Sequence, residues 1–449
     1  MIAKLLQAYA RPVPRYTSYP TAPHFSDAVG AGAYADWLGR LRAGASLSLY
    51  AHIPFCDTLC WFCGCHTKIT RRYRPVAEYL AGLKKEIAAV AALTEPGCKV
   101  RHVHWGGGSP TILKGADLRA LADALRAAFT FDAAAEFAVE IDPRGLKDDQ
   151  LDALAAAGVT RASVGVQDFN PEVQAAINRV QPFAETRDVI QGLRARGISA
   201  INIDLMYGLP QQSPAGIADT IEKVLSLGPD RIALFGYAHV PWIKRHQRMI
   251  PEASLPGVDE RFSQADLAAR PLVEAGYRRI GLDHFARPGD PLAKAAANGT
   301  LRRNFQGYTT DAADALIGFG ASAIGRLPEG FVQNQVPIAD YLRYVEKSGL
   351  ATVRGYAFTG DDLRRAHLIE RLMCDMSLSW SQIERRIGPA DDLRAEAEAP
   401  LSAFARDGLI TMGRDGFAVT ERGRPFVRAI CAAFDAYLKE GRARHSIAV

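Results

Sequence analysis

Apolar residues recur along this chain in two alternating patterns. Blocks of six or seven residues rich in β-branched, aromatic and aliphatic side chains stand at 47–53, 100–105, 136–141, 161–166, 200–205 and 231–237. Between them the apolar positions switch to helical spacing, as at 76–93, 116–129 and 215–227. Six strands alternating with helices predict parallel βα units. The fold expected is α/β, an open or partial (βα)6 barrel, although the period alone leaves a doubly wound sheet open. In either architecture ligands gather at the carboxyl ends of the strands.

The two ends of the chain break this rhythm. Residues 1–45 read as an irregular extension, punctuated by Pro12, Pro14 and Pro20. A catalytic domain is expected over 46–350. Beyond it come helical stretches, then apolar runs at 409–411 and 417–419 around Gly413-Arg414-Asp415-Gly416, a hairpin signal. Residues 351–449 therefore read as a small α+β, winged-helix-like domain. Basic and acidic residues are mixed through it, which favours a cover over the substrate and no nucleic-acid partner.

Composition adds limits. The 449 residues are 48% hydrophobic and 23% charged, as in ordinary globular proteins. A net charge of +5 is too small to identify an anionic partner. No apolar run approaches the roughly 18 residues that read as a membrane span, and residues 1–7 lack a secretory pattern. A cytoplasmic monomer with no membrane partner is the expectation. Four of the seven cysteines crowd into 56–65. In an intracellular chain so tight a cluster points to metal binding or catalysis rather than disulfides.

That cluster carries the chemistry. Cys56, Cys60 and Cys63, spaced Cys-x3-Cys-x2-Cys, follow the first strand and can wrap one iron–sulfur cluster. Three thiolates leave one iron of a cubane open for a cofactor, as an open position does at catalytic zinc. A structural zinc site, with Cys65 or His66 as fourth ligand, is the alternative. After the second strand, Gly106-Gly107-Gly108 lets backbone approach a ligand closely and offers N–H groups to a carboxylate. Glu140 ends the third strand and can pair with a cationic amino group or a ribose, while Asp142-Pro143 beside it reads equally as a turn. Gln167 and Asp204 stand at the ends of the fourth and fifth strands, and Arg179 can hold a carboxylate bidentately.

The cysteine spacing, with an aromatic residue before the third cysteine, resembles the radical S-adenosylmethionine superfamily. The wider chain is similar to the oxygen-independent coproporphyrinogen III oxidase family. The similarity runs through Pro14-Arg15-Tyr16-Thr17-Ser18-Tyr19-Pro20-Thr21, His104-Trp105-Gly106-Gly107-Gly108-Ser109-Pro110-Thr111, Gly165-Val166-Gln167-Asp168-Phe169, Asn202-Ile203-Asp204-Leu205, Asp283-His284-Phe285 and Asn304-Phe305-Gln306-Gly307-Tyr308-Thr309. Trp61 stands where Tyr is expected and Ser109 where Thr is expected.

The resemblance implies a [4Fe–4S] cluster on Cys56, Cys60 and Cys63. It implies S-adenosyl-L-methionine at the open iron beside Tyr50, Gly107, Glu140 and Ile324. A second S-adenosyl-L-methionine is implied beside Phe62, Gly108, Ser109, Gln167, Arg179, Asp204 and Ala238, and Cys65 has a catalytic role apart from the cluster. The implied reaction is oxidative decarboxylation of two propionates of coproporphyrinogen III to vinyl groups, through a 5′-deoxyadenosyl radical, giving protoporphyrinogen IX. It needs a low-potential electron donor such as flavodoxin or ferredoxin, and an electron acceptor. Arg15, Arg179, Arg302 and Arg303 are unranked candidates for the substrate's carboxylates. Three other readings stay open: a haem chaperone on the same fold, against which Cys65 and the 14–21 segment count, a radical methyltransferase, and a zinc-containing nucleic-acid-binding protein.

Overall fold

The computed structural model describes residues 2–438. The six expected strands form as β1 (Ser46–Ile53), β2 (Lys99–Gly107), β3 (Thr130–Ile141), β4 (Arg161–Gln167), β5 (Ala200–Tyr207) and β6 (Arg231–Gly236). They pair in that order, every pair parallel. A doubly wound sheet must reverse its strand order at a switch point. This one never does between β1 and β6, so the chain winds in one direction as a partial barrel.

Helices such as Arg74–Leu93, Gly115–Ala128, Phe183–Ala195 and Pro214–Leu227 make the crossovers. The first buries Val76, Leu80, Leu83, Ile87 and Val90, a stripe at alternating steps of four and three. Helix Pro214–Leu227 begins where Ser213 Oγ accepts from Gly216 N and stops at Gly228 in the left-handed conformation. In β1, Leu47, Leu49, Ala51 and Ile53 enter the main core. The alternate residues Ser48, Tyr50 and His52 face the other side.

The sheet extends past the predicted six strands. β7 (Arg278–Ile280) and β8 (His284–Ala286) add antiparallel beyond β6, with β8 next to it. β9 (Ala315–Phe319) returns to pair parallel with β1. Antiparallel β10 (Ile324–Leu327), β11 (Gly330–Asn334) and β12 (Thr352–Ala357) follow outward. The full twelve-stranded order is β12-β11-β10-β9-β1-β2-β3-β4-β5-β6-β8-β7. Its two ends carry different strands and do not pair, so the barrel stays open.

One buried carboxylate fixes the return of β9. Glu86, on helix Arg74–Leu93, accepts from Gly320 N at 2.7 Å, Asn334 Nδ2 at 2.6 Å and Tyr341 OH at 2.7 Å. Burial pushes its carboxyl up to about 7, and the three hydrogen bonds keep it from rising further.

Residues 1–45 do not stay irregular, contrary to expectation. Helices form at Ile2–Tyr9 and Ala31–Gly39. Leu5 and Leu6 of the first join Leu372, Leu401, Phe404 and Phe426 in a second core. Eight residues are too few for helical period to stand out in sequence, so tertiary packing decides. At the far end, helices Gly360–Asp375, Trp380–Ile387 and Asp391–Arg406 surround a three-stranded sheet of Ser377–Ser379, Gly416–Val419 and Ile410–Gly413. Helices with a small hairpin, followed by a short helix at Val427–Cys431, make this the winged-helix-like shape. The end of the predicted 351–449 segment, 439–449, lies outside the described residues. No described helix is long and apolar enough to cross a membrane.

Candidate active site

Past β1, Phe55–Cys56 pairs with Lys68–Ile69 and closes a loop that holds the other clustered cysteines. Several elements grip this loop by its backbone. Asn178 Nδ2 donates to Leu59 O at 2.7 Å, and Trp61 N to Ile177 O at 2.9 Å. From the segment after β6, Gln247 Nε2 donates to Phe62 O at 2.9 Å, His246 Nε2 to Cys63 O at 2.7 Å and Lys244 Nζ to Cys65 O at 2.9 Å. The loop is held by its peptide groups, which leaves its thiols available.

Cys60 is buried, Cys56 and Cys63 are half-buried and Cys65 is exposed. Cys60 Sγ receives Arg144 Nη2 at 3.5 Å and Arg179 Nη1 at 3.6 Å. Burial, then the charges of Cys63 and Asp142, pushes the Cys56 thiol up to about 12. A metal must therefore displace its proton at neutral pH. Among the described residues no three His, Cys, Asp or Glu side chains converge as a single-ion site. In a cubane each thiolate binds its own iron, so the donors ring the cluster rather than meet at a point. Three loop cysteines with two guanidiniums on one of them fit such a group. Cys65 N donates to Cys63 Sγ at 3.4 Å, a contact of the kind that tunes cluster potential.

Glu140, at the end of β3, is the hub of the next group. It accepts from His104 Nε2 at 3.1 Å and from Gly107 N at 3.2 Å. Burial acts to raise its carboxyl, but the His104 hydrogen bond and charge, with Gly107 N–H and His52, hold it below the usual range. Tyr50 stacks obliquely on His104 with ring centres 5.8 Å apart, and its hydroxyl lies 2.9 Å from His52 Nδ1. His52 Nε2 is 3.0 Å from His66 O. A carbonyl only accepts, so Nε2 carries the proton and Nδ1 accepts from Tyr50.

The glycine run does not act as the expected cradle of free N–H groups. Gly107 N is taken by Glu140, Gly108 N donates to Ile53 O at 2.8 Å and Ser109 N to Phe55 O at 2.8 Å. The run is instead needed for close packing. Gly107 has φ +113°, and a Cβ there would stand 2.6 Å from the His52 ring. One on Gly108 would stand 2.4 Å from Phe55 O.

Arg179 does hold a carboxylate with two nitrogens, and that carboxylate is the chain's own. Its Nη1 and Nη2 lie 3.1 and 3.3 Å from the Asp142 oxygens, and Nη2 donates to Gly165 O at 2.7 Å. Arg144 meets the same Asp142 at 2.7 Å. Burial acts to raise Asp142, and the two arginines pull it below its ordinary value. Asp142, read in sequence as a turn, is thus the counter-charge behind Cys60. Gln167 sits at φ +69° beside a bulge in β4, next to Arg179 around Gly165.

Asp204 accepts from Ser163 Oγ at 3.0 Å and Asn202 Nδ2 at 2.9 Å. Burial, then the Glu140 charge, pushes it up to about 6. Phe62 and Ala238 share the Gln247 amide, at 2.9 and 3.3 Å. Ile324 joins through Gly318, the register partner of Tyr50, whose Cβ would stand 2.7 Å from Ile324 O. Ser109 hydrogen-bonds Thr111 at 2.8 Å and lines, with Cys56, Asp142 and Arg144, a cavity of about 390 Å³.

Sequence reasoning does not single out His52, Arg144, Ser163 or Asn202. A signal exists for three of them. In strands buried on both faces a near-continuous apolar run is expected, yet polar residues recur every second position at 48, 50 and 52, at 163, 165 (glycine) and 167, and at 202 and 204.

A second cavity, of about 670 Å³, opens beyond β5 and β6 and runs from Ala238 to Arg15 and Arg428. It sorts the unranked arginines. Arg15 and Arg303 line it, with Arg261, Arg279 and Arg428. Arg302 instead pairs with Glu370 at 2.9 Å, and Arg179 with Asp142.

Known proteins share this sequence and fold. Residues 50–224 match the Radical SAM superfamily. The oxygen-independent coproporphyrinogen III oxidase of Bradyrhizobium diazoefficiens is 51% identical over 97% of this chain and 97% of its own length. That of Escherichia coli K12 is 43% identical over 97% and 95%. The solved structure of Escherichia coli coproporphyrinogen III oxidase, described as a radical SAM enzyme, superimposes with a TM-score of 0.90 at 42% identity, covering 95% of this chain and 100% of that one. By full-length similarity, fold and cysteine loop, this chain belongs to the oxygen-independent coproporphyrinogen III oxidase family of radical S-adenosylmethionine enzymes.

Proposed function

We propose that this protein converts coproporphyrinogen III to protoporphyrinogen IX without oxygen, by oxidative decarboxylation of two propionates to vinyl groups. The observation that carries this reading is the junction of the cysteine loop with the arginine-lined cavity, where one Gln247 amide holds Phe62 O and Ala238 O. When bound, the [4Fe–4S] cluster and S-adenosyl-L-methionine supply the 5′-deoxyadenosyl radical that removes a hydrogen atom from a propionate β-carbon.

The chain's own residues do the rest. Cys56, Cys60 and Cys63 hold the cluster, and Arg144 and Arg179 offset charge at Cys60. Tyr50, Gly107, Glu140 and Ile324 surround the first S-adenosyl-L-methionine, with Glu140 ionised to face its cationic amino group. Phe62, Gly108, Ser109, Gln167, Arg179, Asp204 and Ala238 surround a second molecule. Cys65, exposed and outside the ligand set, acts in turnover. The segments at 2–45 and 360–438 cover the barrel, whose sheet runs on past residue 350 through β12, a reading supported by Arg15 and Arg428 lining one cavity with Ala238. Such a cover excludes water from a reactive intermediate and positions the substrate. A flavodoxin or ferredoxin as donor, a separate electron acceptor, a monomeric state and a cytoplasmic setting complete the reading.

Full-length similarity to enzymes of one activity favours this over a chaperone, a methyltransferase or a zinc protein. The test is anaerobic incubation of the cluster-loaded protein with reductant, S-adenosyl-L-methionine and coproporphyrinogen III. Formation of 5′-deoxyadenosine with vinylated product is expected. An intact cluster that yields neither would overturn the reading.

A further inference from the structure

The larger cavity separates its two signs of charge, and, given the porphyrinogen reading above, that separation says how the substrate lies in it. Arg261, on helix Val258–Glu274, reaches over the ends of β5 and β6. Its Cζ is 3.4 Å from where a Cβ on Gly208 would stand, and its Nη2 3.2 Å from one on Gly236. Its Nε is buried with no hydrogen-bond partner among the described residues, as are Arg279 Nε and both Nε and Nη1 of Arg303. A buried donor left unpaired costs about 1–3 kcal/mol, more when charged. Among the described residues the Arg261 and Arg279 side chains make no hydrogen bond and Arg303 makes one, from Nη2 to Arg15 O at 3.3 Å, so the remaining guanidinium donors that face the cavity are there for a bound acid to take.

The cavity's carboxylates do not fill that role. Glu252, Asp266 and Glu421 stand at the rim with side chains 79%, 60% and 74% exposed. Arg279 meets Glu421 only at 3.9 Å. The most enclosed of the cavity's acids is the half-buried Asp283, 15% exposed, whose Oδ1 is 2.7 Å from His284 Nδ1. No hydrogen bond among the described residues reaches its Oδ2. Burial acts to raise Asp283, but His284, Arg303 and Arg15 hold it ionised.

A porphyrinogen has the matching arrangement. Its four pyrrole N–H donors point toward the middle of the ring, and its carboxylates hang from the outer edge. Such a molecule calls for an acceptor facing its centre and cations around its periphery. The cavity's volume, about 670 Å³, is within the range of ligand clefts. We propose that Asp283 accepts the inward N–H groups of the tetrapyrrole while Arg261, Arg279 and Arg303 hold its propionate carboxylates. The remaining, reacting propionate then points past Ala238 to the cysteine loop.

The test compares two ligands on the cluster-loaded protein, without reductant and under anaerobic conditions. Coproporphyrinogen III carries both the N–H donors and four carboxylates; zinc coproporphyrin III keeps the carboxylates and has no N–H. Asp283→Asn should weaken coproporphyrinogen binding about tenfold or more and leave the zinc complex unchanged. Arg261→Gln and Arg303→Gln should weaken both ligands by a similar factor, and raise KM more than they lower kcat. Cluster absorbance and Tm report whether each variant is folded. A measurement on the unaltered protein supports the same point: coproporphyrinogen III with one N-methyl group should bind at least about tenfold more weakly. Equal binding of that ligand, an equal effect of Asp283→Asn on both ligands, or arginine variants that change neither affinity would each overturn the assignment. If the unaltered protein binds no porphyrinogen, or makes no vinyl product, the functional reading fails and the assignment with it. Normal turnover together with unaffected variants removes the assignment alone.

Discussion

The two ends of the site treat their arginines in opposite ways. Behind the cysteine loop, Arg179 and Arg144 close on Asp142 at 3.1 and 2.7 Å, and Glu140 and Asp204 have partners of their own. In the larger cavity Arg261 and Arg303 keep buried nitrogens with no partner among the described residues. The first region is balanced internally, as suits groups that stay bound and must be held in place. The second is left unbalanced, as suits an acid that comes and goes. Pre-paired charge contributes rigidity; unpaired charge contributes affinity.

The largest test of this contrast is Cys60→Ala. Iron content and the brown colour should be lost, and turnover should fall to background, if Cys60, on which both paired arginines converge, is the cluster ligand proposed above. Next, Asp142→Asn leaves two guanidiniums without their counter-charge and should cost about 3 kcal/mol, read as a lower denaturant midpoint. Arg261→Gln breaks no internal pair and should change stability by less than about 1 kcal/mol. Equal losses in these two variants would erase the contrast.

A smaller effect depends on pH. Asp204 is pushed up to about 6 by burial and by Glu140, against about 3.9 in an unfolded chain. Between those values the folded state binds more protons, so stability falls as pH rises from about 4 to 6. Asp204→Asn should remove this slope and gain up to about 3 kcal/mol on the parent above pH 6. Thermal unfolding across that range, without S-adenosyl-L-methionine, checks it. Smallest is Cys65→Ala, which should keep full iron and shift stability by under about 0.5 kcal/mol while turnover drops. Unchanged turnover would take Cys65 out of the mechanism.

The barrel was legible because its strands and helices are long enough for their periods to register. The expected strand at 161–166 is found at Arg161–Gln167, and the helix at 215–227 is found at Pro214–Leu227. β7 and β8, three residues each, are too short for any period to show. Neither does a local window reveal that β9 pairs with β1, since that contact is set by packing around Glu86. In the site, residue types were readable and partners were not. Arg179 was expected to hold a carboxylate, but that its partner is Asp142 depends on β3 and β4 lying side by side. The unpaired state of Arg261 is a property of three dimensions alone.

The pairing of β9 with β1 also sets an order of events at the ribosome. Ser46 and Asp314, joined at 2.8 Å where these strands begin, are 268 residues apart. At about 5–20 residues per second that separation takes on the order of ten seconds to a minute to synthesise. Throughout that interval the strand that leads into the cysteine loop has at most one neighbour instead of two. Iron delivered during synthesis would meet the loop on an unfinished sheet; iron delivered afterwards would meet it on a complete one.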